Sequence, residues 1–383
     1  MEDGTTRAIL PRVIFSRVVP SGPRALVPQE FREIARFLYS YILRSFALFL
    51  AALLVAGPSQ AKPATREARR AAPAEFDALP LVRSRQNHLL VHAFINGKSA
   101  WLGVDTGAPV SAIAVQRREH FRVTGIAANP ALPSRVQING AFNNVGIVRK
   151  FRLGGLELLD EPVVLVDLGN STRAAHLREE QEIDGILGAD ILFPTKAVLD
   201  CQQRLLFLKT DPDAVGSMPG FDRRGFQAVP IEVSEGFNLY VGGSINGSPA
   251  KFMVDTGSFA TLLHRSFVRR MKIPTQETPF QSAAVNLKRR GVRVAHIRTL
   301  SVGSVNFTGK DVGVIDLEGL IHGRLLQGSP PVAGLLGAEI LNRNHGIIDF
   351  GTRTLYLKRE SDSVAARDRA QPYQVPRAKP VFP

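Results

Sequence analysis

An all-β chain of two similar lobes is predicted by three observations. The sequence repeats itself at long range, its apolar runs are short and strand-like, and its helical signals are few. The repeat is visible in five blocks that recur in the same order. Leu79-Pro80-Leu81 is answered by Val229-Pro230-Ile231, and Ile95-Asn96-Gly97 by Ile245-Asn246-Gly247, each 150 residues on. The run from Gly185 to Leu192 (GILGADIL) is answered by GLLGAEIL from Gly334 to Leu341, now 149 residues on. Val198-Leu199-Asp200 then matches Ile347-Ile348-Asp349, and Leu206-Phe207-Leu208-Lys209 matches Leu355-Tyr356-Leu357-Lys358. A period this long marks a duplicated domain, because solenoid repeats run to roughly 20–50 residues.

The strands follow in chain order. Leu89-Leu90-Val91 and Ala93-Phe94-Ile95 lead into Asn96-Gly97, a dipeptide that favours the tight turn of a hairpin. Leu239-Tyr240-Val241 and Gly243-Ser244-Ile245 do the same before Asn246-Gly247. Residues 163–166 and 312–315 read as further strands. One short helix per lobe is expected after Gly188 and Gly337, where Asp190 and Glu339 would complement a helix N-terminus as structural acids.

The chemistry sits in a second pair of matched segments. Val104-Asp105-Thr106-Gly107 and Val254-Asp255-Thr256-Gly257 each follow an apolar run, and each is followed by a small residue, Ala108 or Ser258. One Asp-Thr-Gly is an ordinary turn, since Asp bonds its own backbone there. Two, at equivalent places in a duplicated chain, are two carboxylates placed to meet.

An apolar-Asp-Thr-Gly turn, followed some 80 residues on by two apolar residues and a glycine, resembles the aspartic proteases. The short lobes, Ala108 and the Gly-Ala-Asp/Glu-Ile-Leu segments are more similar to the retropepsin-like branch than to pepsin. Retropepsins supply one Asp per chain and dimerise. This chain resembles two such units fused, over about residues 77–360, which implies a monomer with an internal pseudo-dimer. The resemblance implies a bilobal aspartic-protease fold of two tandem barrel-like lobes. Ile186-Leu187-Gly188 and Leu335-Leu336-Gly337 would lie in strands under the catalytic turns, and Thr106 and Thr256 would bond across the lobe interface. It also implies flaps over the cleft, here at residues 135–148 and 283–294. Neither contains the Tyr of pepsin-like members, so substrate clamping is expected to differ.

The resemblance implies an aspartic endopeptidase in which Asp105 and Asp255 activate water, with peptide or protein as substrate and no metal or cofactor. Two adjacent carboxylates share a proton, so one is a base while the other is an acid. Gly107 and Gly257 let the turns close. Ser258 can offer a hydroxyl to Asp255 where Ala108 cannot to Asp105, so Asp255 is expected to be the ionised base. The alternative is a non-catalytic peptide-binding or envelope scaffold protein on the same fold.

Other residues read more plainly. His88 and His92 are spaced i, i+4, but no third ligand stands near and their counterparts are Asn238 and Gly242, so a metal site is not inferred. His264 and His345 read as surface or packing residues. Cys201, the single cysteine, reads as a buried thiol because its counterpart is Phe350. The net charge of +14 is scattered along the chain, which argues against a nucleic-acid partner.

The ends are read as addresses and tethers. Residues 1–36 are an uncertain leader. Residues 37–61 hold the apolar run FALFLAALLV and end in Ser-Gln-Ala, as a signal peptide does. Residues 62–76 form a tether, 77–209 the first lobe, 210–225 a Pro- and Gly-containing linker, 226–360 the second lobe, and 361–383 a polar tail. A periplasmic or secreted protein is expected, with no stable membrane insertion after cleavage. The alternative is an anchor through residues 37–57.

Overall fold

The computed structural model describes residues 76–84, 87–126, 134–138, 141–168, 181–209, 223–234, 237–284, 287–317 and 330–359. The expected leader, signal peptide, nearly all of the tether, most of the linker and the tail lie outside the described residues. The described residues form two lobes built almost wholly of strands, as the duplication predicts.

Each lobe starts from the same hairpin. Leu89–Ile95 pairs with Lys98–Val104 through Asn96-Gly97, and Leu239–Ile245 pairs with Ser248–Val254 through Asn246-Gly247. All four turn residues have positive φ, from 49° to 83°, which suits the twist of a two-residue hairpin. A third strand then runs parallel to the outgoing arm: Gly185–Leu187 beside Lys98–Val104, and Val332–Leu336 beside Ser248–Val254. That same strand pairs on its other side with Ala112–Ala114 or with Leu262–His264. Each Asp-Thr-Gly turn therefore bridges two strands that flank a common central one.

Strands from both lobes meet in one antiparallel sheet. Phe76–Arg83, Leu205–Lys209 and Val198–Asp200 come from the first lobe, and Ile347–Asp349, Thr354–Lys358 and Phe226–Val233 from the second. At its middle Leu199 pairs with Ile348, and Val198 and Asp200 pair with Asp349 and Ile347. One apolar cluster runs through both lobes, joining Phe151 and Leu102 to Leu199, Ile348 and Phe252. Cys201 and Phe350 both lie in it. Burial pushes the Cys201 thiol up to about 12, with the Asp200 charge adding to the effect, so it is inert.

One detail differs from the sequence reading. The first lobe has one α-helix among its described residues, Ala189–Leu192, and the second has two, Arg265–Arg270 and Ala338–Arg343. Arg265–Arg270 replaces a 3-10 turn, Val115–Arg117, and buries Phe267 and Val268 where that turn buries nothing. His264 and His345 are both buried, which selects packing over a surface position. His264 Nδ1 accepts the Leu317 N–H at 3.2 Å, and His345 Nε2 lies 3.0 Å from Asp200 Oδ2 across the lobe boundary.

Candidate active site

The strand Lys98–Val104 ends with Val104 buried, and its counterpart ends with Val254 buried, so both turns begin from fixed points. Each turn is then tied to its central strand. The Asp105 N–H donates to Leu187 O at 3.0 Å and the Asp255 N–H to Leu336 O at 3.0 Å. The Ala189 N–H returns to Ala108 O and the Ala338 N–H to Ser258 O, both at 2.9 Å.

A second brace comes from residues that the sequence reading did not single out. The Gly188 N–H donates to Ser111 Oγ at 3.0 Å, and the Gly337 N–H to Thr261 Oγ1 at 3.1 Å. Ser111 in turn donates through its N–H (2.8 Å) and its hydroxyl (2.7 Å) to Asp190, and the Thr261 N–H donates to Glu339 at 2.7 Å. Asp190 and Glu339 are thus structural, as expected, but they hold the turn as well as the helix. Burial raises Asp190 to about 6 against the pull of those donors. Ser111 and Thr261 were legible in principle, because hydroxyl residues recur there with the 150-residue offset.

The two turns meet tip to tip. The Thr106 N–H donates to Thr256 Oγ1 at 3.0 Å and the Thr256 N–H to Thr106 Oγ1 at 3.1 Å. Each hydroxyl then donates across the boundary, Thr106 to Val254 O at 2.9 Å and Thr256 to Val104 O at 2.7 Å. Both threonines are 1% exposed. Four buried bonds therefore fix one turn against the other, and each hydroxyl is satisfied as donor and acceptor.

This clamp packs each turn on the aspartate of the other. A Cβ on Gly107 would fall 2.7 Å from the Asp255 carboxyl carbon, and one on Gly257 would fall 2.5 Å from that of Asp105. Each glycine packs on the opposite aspartate, so glycine is required by close approach. The Gly107 N–H donates to Asp105 at 2.8 Å and the Ser258 N–H to Asp255 at 3.0 Å. The Ser258 hydroxyl does not reach Asp255 as expected. It donates to Ala260 O at 2.8 Å, because the turn curls back on itself there.

The segments expected as flaps fall in hairpins that pair Arg135–Ile138 with Ala141–Leu153 and Thr275–Ala284 with Leu287–Val302. The second begins at Thr275, ahead of the position 283 expected, and so includes Phe280. Phe142 and Phe280 are both 69% exposed on these hairpins, and Phe259, two residues past Gly257, is 59% exposed. His88 and His92 do not come together as a pair. His92 packs edge-on against Phe94 and Trp101 and bonds Ser99 at 2.8 Å. His88 lies ahead of the strand, and its N–H donates to Ser84 Oγ at 3.1 Å.

A family model described as aspartyl protease matches residues 91–191 and again residues 241–340. No curated protein matches the sequence. Among solved structures, the crystal structure of basic 7S globulin from soybean aligns with a TM-score of 0.41 and 11% identity, over 75% of this chain and 95% of that one. The two family matches cover more than half of the chain, and each contains one Asp-Thr-Gly turn, so this chain belongs to the aspartyl protease family.

Proposed function

We propose that the chain is an aspartic endopeptidase that hydrolyses peptide bonds with water activated between Asp105 and Asp255. The observation that carries this reading is the reciprocal Thr106–Thr256 clamp, which holds one carboxylate from each lobe against the glycine of the other. Two carboxylates brought together in this way share one proton. The ionised member takes a proton from the bound water as its oxygen attacks the scissile carbonyl carbon. The protonated member gives its proton to the carbonyl oxygen. Collapse of the tetrahedral diol breaks the C–N bond and returns a proton to the leaving amine. Asp105 and Asp255 are the catalytic residues, and Thr106, Gly107, Thr256, Gly257 and Ser258 support them.

The substrate is an extended peptide lying between the lobes. Strand-like pairing with the two flap hairpins supplies main-chain bonds. The exposed rings of Phe142, Phe280 and Phe259 offer apolar contacts for its side chains. Shared-proton chemistry favours mildly acidic conditions. The same reading makes the protein a monomer with an internal pseudo-dimer, exported to the periplasm or the exterior. No helix among the described residues is long and apolar enough to cross a membrane.

A peptide mimic carrying a hydroxyl in place of the attacked carbonyl tests the reading by calorimetry. Tight binding by the parent, weakened at least about 100-fold in Asp105→Asn and in Asp255→Asn, is expected of a site complementary to the transition state. Equal binding by all three proteins would leave a peptide-binding scaffold.

A further inference from the structure

The residues that follow the two Asp-Thr-Gly turns part company just past the glycines. Pro109 in the first lobe is matched by Phe259 in the second. Pro109 is buried, and Val110 after it packs on the apolar cluster that holds Ala112, Val145 and Val164. Phe259 is exposed.

The backbone on either side of Phe259 is fixed. The Ser258 N–H donates to the Asp255 carboxylate at 3.0 Å, and Ser258 O accepts the Ala338 N–H at 2.9 Å. The Ser258 hydroxyl spans the residue to reach Ala260 O at 2.8 Å, and the buried Thr261 hydroxyl accepts the Gly337 N–H at 3.1 Å. The Phe259 carbonyl accepts Asn87 Nδ2 from the opposite lobe at 3.5 Å. The ring is what this turn presents to solvent. Successive Cα atoms are about 3.8 Å apart, so the Phe259 Cα lies within about 8 Å of that of Gly257, the residue packed on Asp105. The ring therefore stands at the rim of the dyad, on the side of the second turn.

The two hairpins do not supply this difference, because Phe142 on one and Phe280 on the other are equally exposed. Asp255 is also the more covered carboxylate, buried where Asp105 is half-buried. The asymmetry belongs to the turns.

We propose that Phe259 is a specificity-determining residue, which gives the site a preference for a large apolar side chain on one flank of the scissile bond, the flank over the Asp255 turn. The proposal rests on the hydrolytic reading of the site and deepens it. A peptide whose scissile carbonyl lies between the two carboxylates has one flank over each turn. A large apolar side chain over the second turn leaves water against the Phe259 ring, and an aromatic one also meets it edge-on or offset. A side chain over the first turn meets Ala108 and the buried Pro109, which offer little area, so size counts for less there.

Cleavage by the full chain of a peptide library randomised on both flanks reads the preference. The parent should favour Phe, Leu or Met over Ala at least about 10-fold in kcat/KM on one flank, and by much less on the other. In Phe259→Ala that ratio should fall at least about fivefold, through KM, with the ratio on the other flank in place. Phe259→Leu should fall between the two proteins. Equal preference on both flanks overturns the proposal, as does a ratio that Phe259→Ala leaves as it was. A uniform loss across the library marks a role in holding the turn and overturns it too. Calorimetry with hydroxyl-bearing peptide mimics, with a benzyl side chain on one flank and a methyl on the other or the reverse, separates recognition from hydrolysis. A parent that cleaves nothing but binds one mimic better, with the difference lost in Phe259→Ala, refutes the hydrolase reading and keeps the proposal. Cleavage without a one-sided preference does the reverse, and a parent that neither cleaves nor binds overturns both.

Discussion

In the first lobe, the Asp105 turn runs into Ala108 and is braced by Ser111 and Asp190, while the loop residue His88 bonds Ser84. In the second, Asp255 is followed by Ser258 and braced by Thr261 and Glu339, while the loop residue at the matching place, Asn238, bonds Ser234. The bonds that place the carboxylates are the same on both sides to within 0.2 Å in the clamp. The ionisable groups around the turns are not, since Glu161 stands where the second lobe has Lys310. The comparison separates what the duplication had to keep, which is shape, from what each copy was free to change, which is electrostatics.

The shared sheet offers the strongest way to break the comparison. Asp200 and Asp349 occupy matching positions, and in their own turns Asp200 accepts the Gln202 and Gln203 N–H groups and Asp349 the Thr352 N–H. Asp200 alone of the two also meets His345, a buried cross-lobe contact with Asp200 and His345 side chains 8% and 10% exposed. Asp200→Ala should cost about 3 kcal/mol by leaving His345 buried without that partner, and Asp349→Ala about 1 kcal/mol, in urea unfolding. Equal losses would mean the contact across the lobes contributes nothing.

The clamp comes next, and there the lobes should behave alike. Thr106→Ala and Thr256→Ala each strip one buried donor and one buried acceptor, so each should cost about 1–3 kcal/mol, with the two within error of each other. The double variant should cost less than the sum, because the two hydroxyls serve one network. Unequal single losses would break the pseudo-symmetry at its centre.

Glu161 sharpens the difference through pH. It stands where the second lobe has Lys310, and burial, with the Asp190 charge adding, raises its carboxyl from 4.5 to about 8. The protonated form is favoured in the fold, so its contribution is full below the unfolded value and fades as pH climbs toward 8. Glu161→Gln should leave thermal stability near pH 4 unchanged and raise it at pH 8. A parallel shift at both values would contradict the assignment.

The smallest effect is expected at Ser258. Its hydroxyl donates to Ala260 O, so Ser258→Ala should leave the acid limb of the pH–rate profile in place and change stability by about 1 kcal/mol or less. A displaced acid limb would restore the expectation drawn from the sequence.

Much of the skeleton was legible because repetition is a sequence property. The Asn-Gly turns, the strands around them and the paired Asp-Thr-Gly segments all appear where the offset puts them. The cross-lobe bonds of Thr106 and Thr256 came from family resemblance, and the geometry agrees. What the repeat could not give was anything that departs from it. The Ser258 hydroxyl has several acceptors within reach, and sequence does not say which one a curled turn presents. The turn helix Arg265–Arg270 depends on burying Phe267 and Val268 against the core. His88 looked like half of an i, i+4 pair because strand spacing was assumed to extend past Leu89. It lies ahead of that strand, in a loop whose destination is the opposite lobe.

The central claim is that one carboxylate from each lobe makes a single hydrolytic site. Incubation of a mixed peptide library with the full chain across pH 3 to 8, beside Asp105→Asn and Asp255→Asn, tests it most directly. The account predicts cleavage by the parent and a loss of about 10³-fold or more in each variant separately. Cleavage that survives the loss of either aspartate would contradict it.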